Sequence, residues 1–396
     1  MSVNSLILDA LNQGGQLVDD LVQLISPTGE RRVNPVFDAL VEDVDADALA
    51  AFYIDMSVIR RIDTEATALQ RQGELGLWPP LTGQEAAQIG SGRALNRTDM
   101  IFPSYREHGV AYCRGVDPVD ILSLWRGAAS CGWDPTVTRM ATPQIIIGAQ
   151  TLHATGYAMG IKAEGSDDAA IVYFGDGATS QGDVNEAMVF AASFGAPVVF
   201  FCQNNQWAIS EPVGLQAQGH IADRAPGFGI PSVRVDGNDV LAVTAVTRRA
   251  LARARAGQGP SYIEAVTYRM GPHTTADDPT RYEDRGLRAE WEQRDPLARV
   301  RALLAAEGYD VDALDAAATR AADEAASGLR SGITSMADPT PESLFEHVLS
   351  SPDAWLEDQR DRYLLYLDSL DDAGSGDDAG AGHGGATHGA STGARA

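Results

Sequence analysis

A carboxylate and an amide at the ends of two neighbouring apolar runs carry the most readable chemistry of this chain. Asp176 stands between glycines in Val172-Tyr-Phe-Gly-Asp-Gly177, and the pair Asn204-Asn205 closes the run that begins at Val198. Both runs are short, apolar and rich in β-branched and aromatic residues, so each reads as a buried strand. Mg²⁺ takes oxygen ligands and keeps phosphate oxygens among them, a need that an acid and an amide at adjacent strand ends can meet. Glycines beside the acid let backbone N–H groups come close to a phosphate. Gly177 and Ala178 stand where the next helix begins, and the positive end of a helix favours anions. The pattern predicts a Mg²⁺-bound diphosphate with Asp176 and Asn205 as side-chain ligands. A dinucleotide fingerprint is excluded, because G-x-G-x-x-G needs glycine where Ser180 stands and Gln203-Asn204-Asn205 offers no acid for a ribose.

Strands and helices in alternation must position these residues. Apolar residues at helical spacing (Leu49, Phe52, Met56, Ile59, Ile62) predict a leading helix over Asp47–Leu75, followed by the rigid connector Trp78-Pro-Pro80. Further helices are expected over Gln144–Lys162, Asp183–Phe194 and Val240–Ala256, and strands over 170–174, 198–202, Ser232–Val235 and Tyr262–Tyr268. This order implies an α/β fold, a mostly parallel sheet with helices on both faces, with helical N- and C-terminal extensions. Ligands of such sheets bind beyond the carboxyl ends of the strands, where Asp176 and Asn205 fall. After Asp277 the pattern turns helical (Leu287–Arg294, Pro296–Glu307, Val311–Gly328), then amphipathic around Leu344–Leu349. The chain therefore divides into a loosely packed arm (1–45), an α/β domain with its leading helix (46–285), a helical region (286–368) and a tail (369–396). The tail is rich in Gly, Ala and Asp and cannot bury enough apolar area to order itself. His383 and His388 within it read as solvated rather than metal-binding.

With 55 acidic against 30 basic residues the net charge is −25, which argues against nucleic acid and anionic membranes as partners. No apolar run approaches the roughly 20 residues needed to span a bilayer. The start MSVNSLILDALNQGG has no early positive charge and does not read as a signal peptide. Three scattered cysteines without metal spacing read as reduced thiols, and a cytoplasmic location is expected.

The stretch Gly175–Ser210 (GDGATSQGDVNEAMVFAASFGAPVVFFCQNNQWAIS) resembles the thiamine diphosphate signature of α subunits of heterotetrameric 2-oxo acid dehydrogenase E1 components. Thr82-Gly-Gln-Glu-Ala86, Pro103-Ser-Tyr-Arg-Glu-His-Gly109, Pro143-Gln-Ile-Ile-Ile-Gly-Ala-Gln150 and Tyr268-Arg-Met-Gly-Pro-His-Thr-Thr-Ala-Asp-Asp278 resemble further family blocks, in family order, over roughly residues 45–365. The resemblance implies the thiamine-diphosphate-binding fold with thiamine diphosphate and Mg²⁺ as cofactors. It adds the Trp207 carbonyl to the metal ligands and brings Tyr105 and Arg106 to the diphosphate, where a forked guanidinium suits phosphate oxygens. It places Ile145 and Ile147 against the aminopyrimidine, although ordinary helix core would explain both. Gln150 would serve a potassium-type cation. His273 would border the diphosphate and help acyl transfer to a lipoyl group. The implied reaction is oxidative decarboxylation of a 2-oxo acid with reductive acylation of the lipoyl group of E2. The carboxylate that activates the cofactor belongs to a β subunit in this family, so an α₂β₂ assembly is implied, inactive as α alone. The acidic surface would suit a basic module of the E2 core.

Two positions depart from the family pattern. Gln203 stands where mitochondrial branched-chain relatives carry arginine, and a neutral amide can still donate to a phosphate. In residues 125–139, Ala128 and Ala129 follow Gly127 where pyruvate-type relatives place a histidine. The motifs lean to pyruvate as substrate, with a branched-chain enzyme acting on 3-methyl-2-oxobutanoate as the alternative and acetoin dehydrogenase behind both. Thr274 and Thr275 lie where mitochondrial relatives carry regulatory phosphoserines, and no such regulation is inferred here. Glu85 lies in a matched block with no assigned chemistry.

Overall fold

The structure, a computed structural model, describes residues 21–374. Its central sheet is wholly parallel, in the order β1-β2-β3-β7-β6, with β1 at Met100–Phe102, β2 at Ala170–Gly175, β3 at Val198–Asn204, β6 at Ser232–Asp236 and β7 at Ser261–Val266. A two-stranded antiparallel ribbon, Trp207–Ala208 (β4) with Glu211–Pro212 (β5), follows β3. Both faces of β2 and β3 are buried, which explains why these two strands are apolar almost throughout. Ile171, Tyr173, Val199 and Phe201 enter one core, and Ala170, Val172, Phe174, Val198 and Phe200 enter the other. Helices 149–164 and 182–194 cover the second face, and helices 46–71, 85–93 and 240–255 the first. The expected α/β architecture with helices on both faces is the observed one.

The leading helix Ala46–Arg71 begins at Asp45, whose carboxylate accepts from the Ala48 N–H, and it ends just before Gly73, which adopts φ 84°. Its outer side is packed by helices Pro296–Ala306 and Val311–Ser335, all within one compact unit ending at Met336. Residues 337–374 form a second unit, a 3₁₀ turn at Pro341–Leu344 and the helix Ala354–Gly374.

The structure differs from the sequence expectations in three places. The arm is anchored over residues 21–45: Leu24 and Ile25 are fully buried, and their N–H groups both donate to Asp239 Oδ2 at 2.6 Å. Residues 1–20 lie outside the described part. The helix expected from Gln144 starts only at Ala149, because Gly148 holds φ 87° before it. Residues 344–349 form no α-helix, whereas Ala354–Gly374 does and runs past Ser369; Asp353 caps it by accepting from the N–H groups of Trp355 and Leu356. The rest of the tail, with His383 and His388, lies outside the described residues. No helix among the described residues is long and apolar enough to cross a membrane.

Candidate active site

Four neighbouring strands end at the same edge of the sheet, and the segment leaving each brings one part of the candidate site. Tyr105 and Arg106 follow β1, Asp176–Ala178 follow β2, Asn205 and Trp207 follow Gln203 at the end of β3, and His273 lies in the loop after β7. Parallel pairing in register sets Gly175 beside Gln203 and Asn204 beside Val266. These segments line one cavity of about 260 Å³ that receives Tyr105, Arg106, Ile147, Asp176, Gly177, Ala178, Gln203, Asn205, Trp207 and His273. Ile145 does not line it and is 57% exposed, two residues before the loop turns inward at Ile147. Gln150 lines the wall through the first turn of its helix.

The polar chemistry of this cavity is incomplete without a ligand. Asp176 is 1% exposed, its Oδ1 has no hydrogen-bond partner among the described residues, and its Oδ2 has Gln216 Nε2 at 3.4 Å. Burial pushes its protonation midpoint up to about 6, against the pull of its own backbone N–H, the charge of Arg269, the Asn205 N–H and Gln216. Gln84 Nε2, Gln150 Oε1 and Gln203 Oε1 are likewise buried without partners, and all three side chains face the same cavity. Buried polar groups are normally paired, so this concentration marks a place for a polar guest. No cluster of three His, Cys, Asp or Glu side chains exists among the described residues. A cation here would draw on one carboxylate, amide and carbonyl oxygens and oxygens of its own ligand, a donor set that suits Mg²⁺.

Asn205 Nδ2 donates to Gln84 Oε1 at 3.2 Å, and its Oδ1 accepts from the Trp207 N–H across Gln206, which is held at φ 70°. The Trp207 carbonyl has Arg269 Nη1 at 3.5 Å. Gly177 is required by close approach, since a Cβ there would stand 2.7 Å from Ala208 Cβ. Among the described residues, a Cβ at Gly175 would meet no atom within 4 Å. Gly177 and Ala178 lie in a 3₁₀ turn, Asp176–Ser180, that precedes helix Gly182–Phe194 rather than forming its first turn.

Arg106 is 5% exposed; Nη1 donates to the Pro80 carbonyl, and Nη2 donates to the His273 carbonyl at 2.9 Å and faces His273 Nδ1 at 3.3 Å. Arg269 Nη1 faces the same Nδ1 at 3.5 Å. A guanidinium only donates, so Nδ1 is the acceptor and the imidazole proton sits on Nε2. Burial, then the charges of Arg106 and Arg269, push His273 down to about 3. The ring is therefore a neutral Nε2–H donor at neutral pH. Tyr105 meets it edge-on, with ring centroids 6.0 Å apart.

Three residues of the site were given no role by the sequence. Glu107 is buried, accepts from Gln203 Nε2 at 2.6 Å and from Ser104 Oγ at 2.8 Å, and is raised by burial. One Gln203 N–H is thus engaged and one remains. Arg269 ties the loops together, donating to the Ile209 and Gly271 carbonyls and to the Tyr282 hydroxyl. Gln84 holds Asn205. Each lies inside a block quoted above, but its task depends on contact with a distant segment. Ala128, Ala129 and the rest of 127–139 do not line the cavity.

Comparison with known proteins agrees with this architecture. The family model for the dehydrogenase E1 component matches residues 54–326. The 3-methyl-2-oxobutanoate dehydrogenase subunit alpha of Mycobacterium tuberculosis is 45% identical over 355 residues, 88% of this chain and 95% of the relative. Pyruvate dehydrogenase E1 component subunits alpha of Staphylococcus epidermidis and Staphylococcus aureus are 42% identical over 291 residues, 73% of this chain and 78% of each relative. The chain belongs to the dehydrogenase E1 component family, as an α subunit of the 2-oxo acid dehydrogenase class. E1 enzymes of this kind use thiamine diphosphate, and their α subunits work with a β subunit and an E2. Relatives of both substrate classes match, so the lean to pyruvate gains no specific support.

Proposed function

We propose that the cavity binds thiamine diphosphate with Mg²⁺ and that the chain, with a β subunit as α₂β₂, decarboxylates a pyruvate-class or branched-chain 2-oxo acid and passes the acyl group to the lipoyl group of E2. The observation that carries this reading is the set of orphaned polar atoms, Asp176 Oδ1, Gln84 Nε2, Gln150 Oε1 and Gln203 Oε1, around one cavity at the carboxyl edge of a parallel sheet. Asp176, Asn205 and the Trp207 carbonyl would hold the metal. Arg106, Tyr105, the free Gln203 N–H and the backbone N–H groups of Gly177 and Ala178 would hold the diphosphate, and Ile147 the aminopyrimidine side. Bound thiamine diphosphate supplies the electron sink for decarboxylation. His273 offers Nε2–H as a hydrogen-bond donor towards the reacting group, its orientation fixed by the two arginines on Nδ1. The side chain of the 2-oxo acid would be read mainly by the wall that the β subunit adds.

The test is calorimetry of thiamine diphosphate binding to the co-purified α/β pair with and without Mg²⁺, followed by dye-coupled decarboxylation of pyruvate and 3-methyl-2-oxobutanoate. Metal-dependent binding is the expected result, and its absence would remove the reading. A kcat/KM ratio of about tenfold, about 1.4 kcal/mol of transition-state preference, would assign the substrate class.

A further inference from the structure

The connector Trp78–Gln84 runs along the back of the candidate site and touches three of the four segments that build it. The Pro80 carbonyl accepts from Arg106 Nη1 and the Pro79 carbonyl from His108 Nε2. Trp78 exchanges two hydrogen bonds with Thr275 in the His273 loop, N–H to Oγ1 at 3.0 Å and carbonyl from N–H at 2.9 Å. The Thr82 carbonyl accepts from Met270 N–H, and Gln84 accepts from Asn205.

One side chain outside the sheet holds this connector in place. Asp63, on the inner side of helix Ala46–Arg71, is 2% exposed. Its Oδ1 accepts from Trp78 Nε1 at 2.8 Å and from Leu81 N–H at 3.0 Å; its Oδ2 accepts from Thr82 N–H at 3.0 Å and Thr82 Oγ1 at 2.5 Å. All four donors are neutral and all belong to the connector. No cation pairs with Asp63 among the described residues, and a buried carboxylate is then costly unless its oxygens are filled by donors, so the connector and Asp63 fix each other's geometry. The Trp78 ring, stacked on His108 with centroids 4.1 Å apart, closes the same unit from the other side. Pro79 and Pro80 stiffen the backbone between the anchored ends, so the Pro80 carbonyl is presented to Arg106 in one direction.

We infer that Asp63 is a positioning residue for the candidate site: through the connector it sets the Pro80 carbonyl, which sets the guanidinium of Arg106. This inference rests on the thiamine diphosphate reading of the cavity. An asparagine at 63 replaces one acceptor oxygen with a donor. Whichever way the amide turns, at least one backbone N–H of Leu81 or Thr82 faces another N–H and loses its acceptor.

Thiamine diphosphate with Mg²⁺ is titrated calorimetrically into the α/β assembly carrying the unmodified α chain, D63N, R106A or both substitutions. The expected result is at least about a tenfold weakening for D63N, the order set by a guanidinium displaced by a fraction of an ångström. The same substitution adds less than about twofold in the R106A background, because residues in one chain of contacts are non-additive. Amide exchange at Leu81 and Thr82 accelerates in D63N without cofactor, whereas exchange in helix Val311–Ser335 does not. An equal loss in both backgrounds would make Asp63 a general structural residue and overturn the inference, as would unchanged affinity in D63N. T82V, which removes one hydroxyl donor and keeps both backbone hydrogen bonds, repeats the test with a smaller effect should D63N fail to assemble. If the unmodified assembly binds no thiamine diphosphate, the reading of the cavity falls first, an outcome distinct from any result on Asp63.

Discussion

Asp176→Asn separates what the carboxylate does for binding from what it costs the empty protein. Moving the midpoint of a carboxyl from 3.8 to about 6 destabilises its ionised form by about 3 kcal/mol relative to the unfolded chain. The folded state holds the proton more tightly than the unfolded state, so this cost is absent below the unfolded midpoint of 3.8, grows as pH rises and is complete above about 6. At pH 7.5 without cofactor, the D176N assembly should therefore melt a few degrees above the unmodified one, a gain of up to about 3 kcal/mol. About half of the advantage should remain at pH 5, since the carboxyl is then mostly protonated in the folded state. With cofactor and Mg²⁺ at a thousand times the dissociation constant, the unmodified assembly gains about 4.1 kcal/mol from binding. D176N should gain almost nothing, and the order of melting temperatures should reverse. Scanning calorimetry at two pH values with and without ligand reads all four states. A D176N assembly that melts below the unmodified one at pH 7.5 without ligand would refute the reasoning, because the carboxylate would then be stabilised by the protein itself rather than held in want of a cation.

His273, already neutral above about 3, should contribute no limb to the pH profile of kcat/KM near its ordinary 6.5. H273Q, which keeps a donor, should retain more turnover than H273A, and an H273Q profile that loses a limb present in the unmodified enzyme would contradict the neutral-donor role. The two glycines beside Asp176 should behave oppositely. G177A places a methyl 2.7 Å from Ala208 Cβ and should cost about 1–3 kcal/mol of stability; G175A meets no atom within 4 Å among the described residues, so it should leave thermal stability within about 0.5 kcal/mol while weakening cofactor binding, read by the same calorimetry.

The parts of the site that are local in sequence were legible in the sequence. Apolar runs of strand length ending in Gly-Asp-Gly and Gln-Asn-Asn reveal both the parallel sheet and the edge at which the cavity lies, because strand ends and turn chemistry are short-range properties. The reach of Ile145 was misjudged, since the apolar periodicity runs unbroken through Gly148 and only the left-handed turn there ends the helix. Asp63, Glu107 and Arg269 carry no pattern of their own. Asp63 meets its partners up to 19 positions away, Glu107 meets Gln203 at a separation of 96, and Arg269 reaches back to Trp207 and Ile209. The buried arm at Leu24 and Ile25 was hidden for the same reason, because its acceptor Asp239 lies more than two hundred positions downstream.

The strand order has a consequence for how the protein is made. β7 lies between β3 and β6, although β6 precedes it in the chain. As synthesis proceeds from the N-terminus, β6 leaves the ribosome before the strand that pairs along its length, and the right-hand half of the sheet stays unzipped until residues 261–266 emerge. His273 and Arg269 arrive later still, as does helix Val311–Ser335, which covers the outer side of the leading helix. The parts of the cavity therefore come together only after residue 273 has emerged, and a polypeptide that ends before residue 261 would expose an unpaired strand edge to quality control.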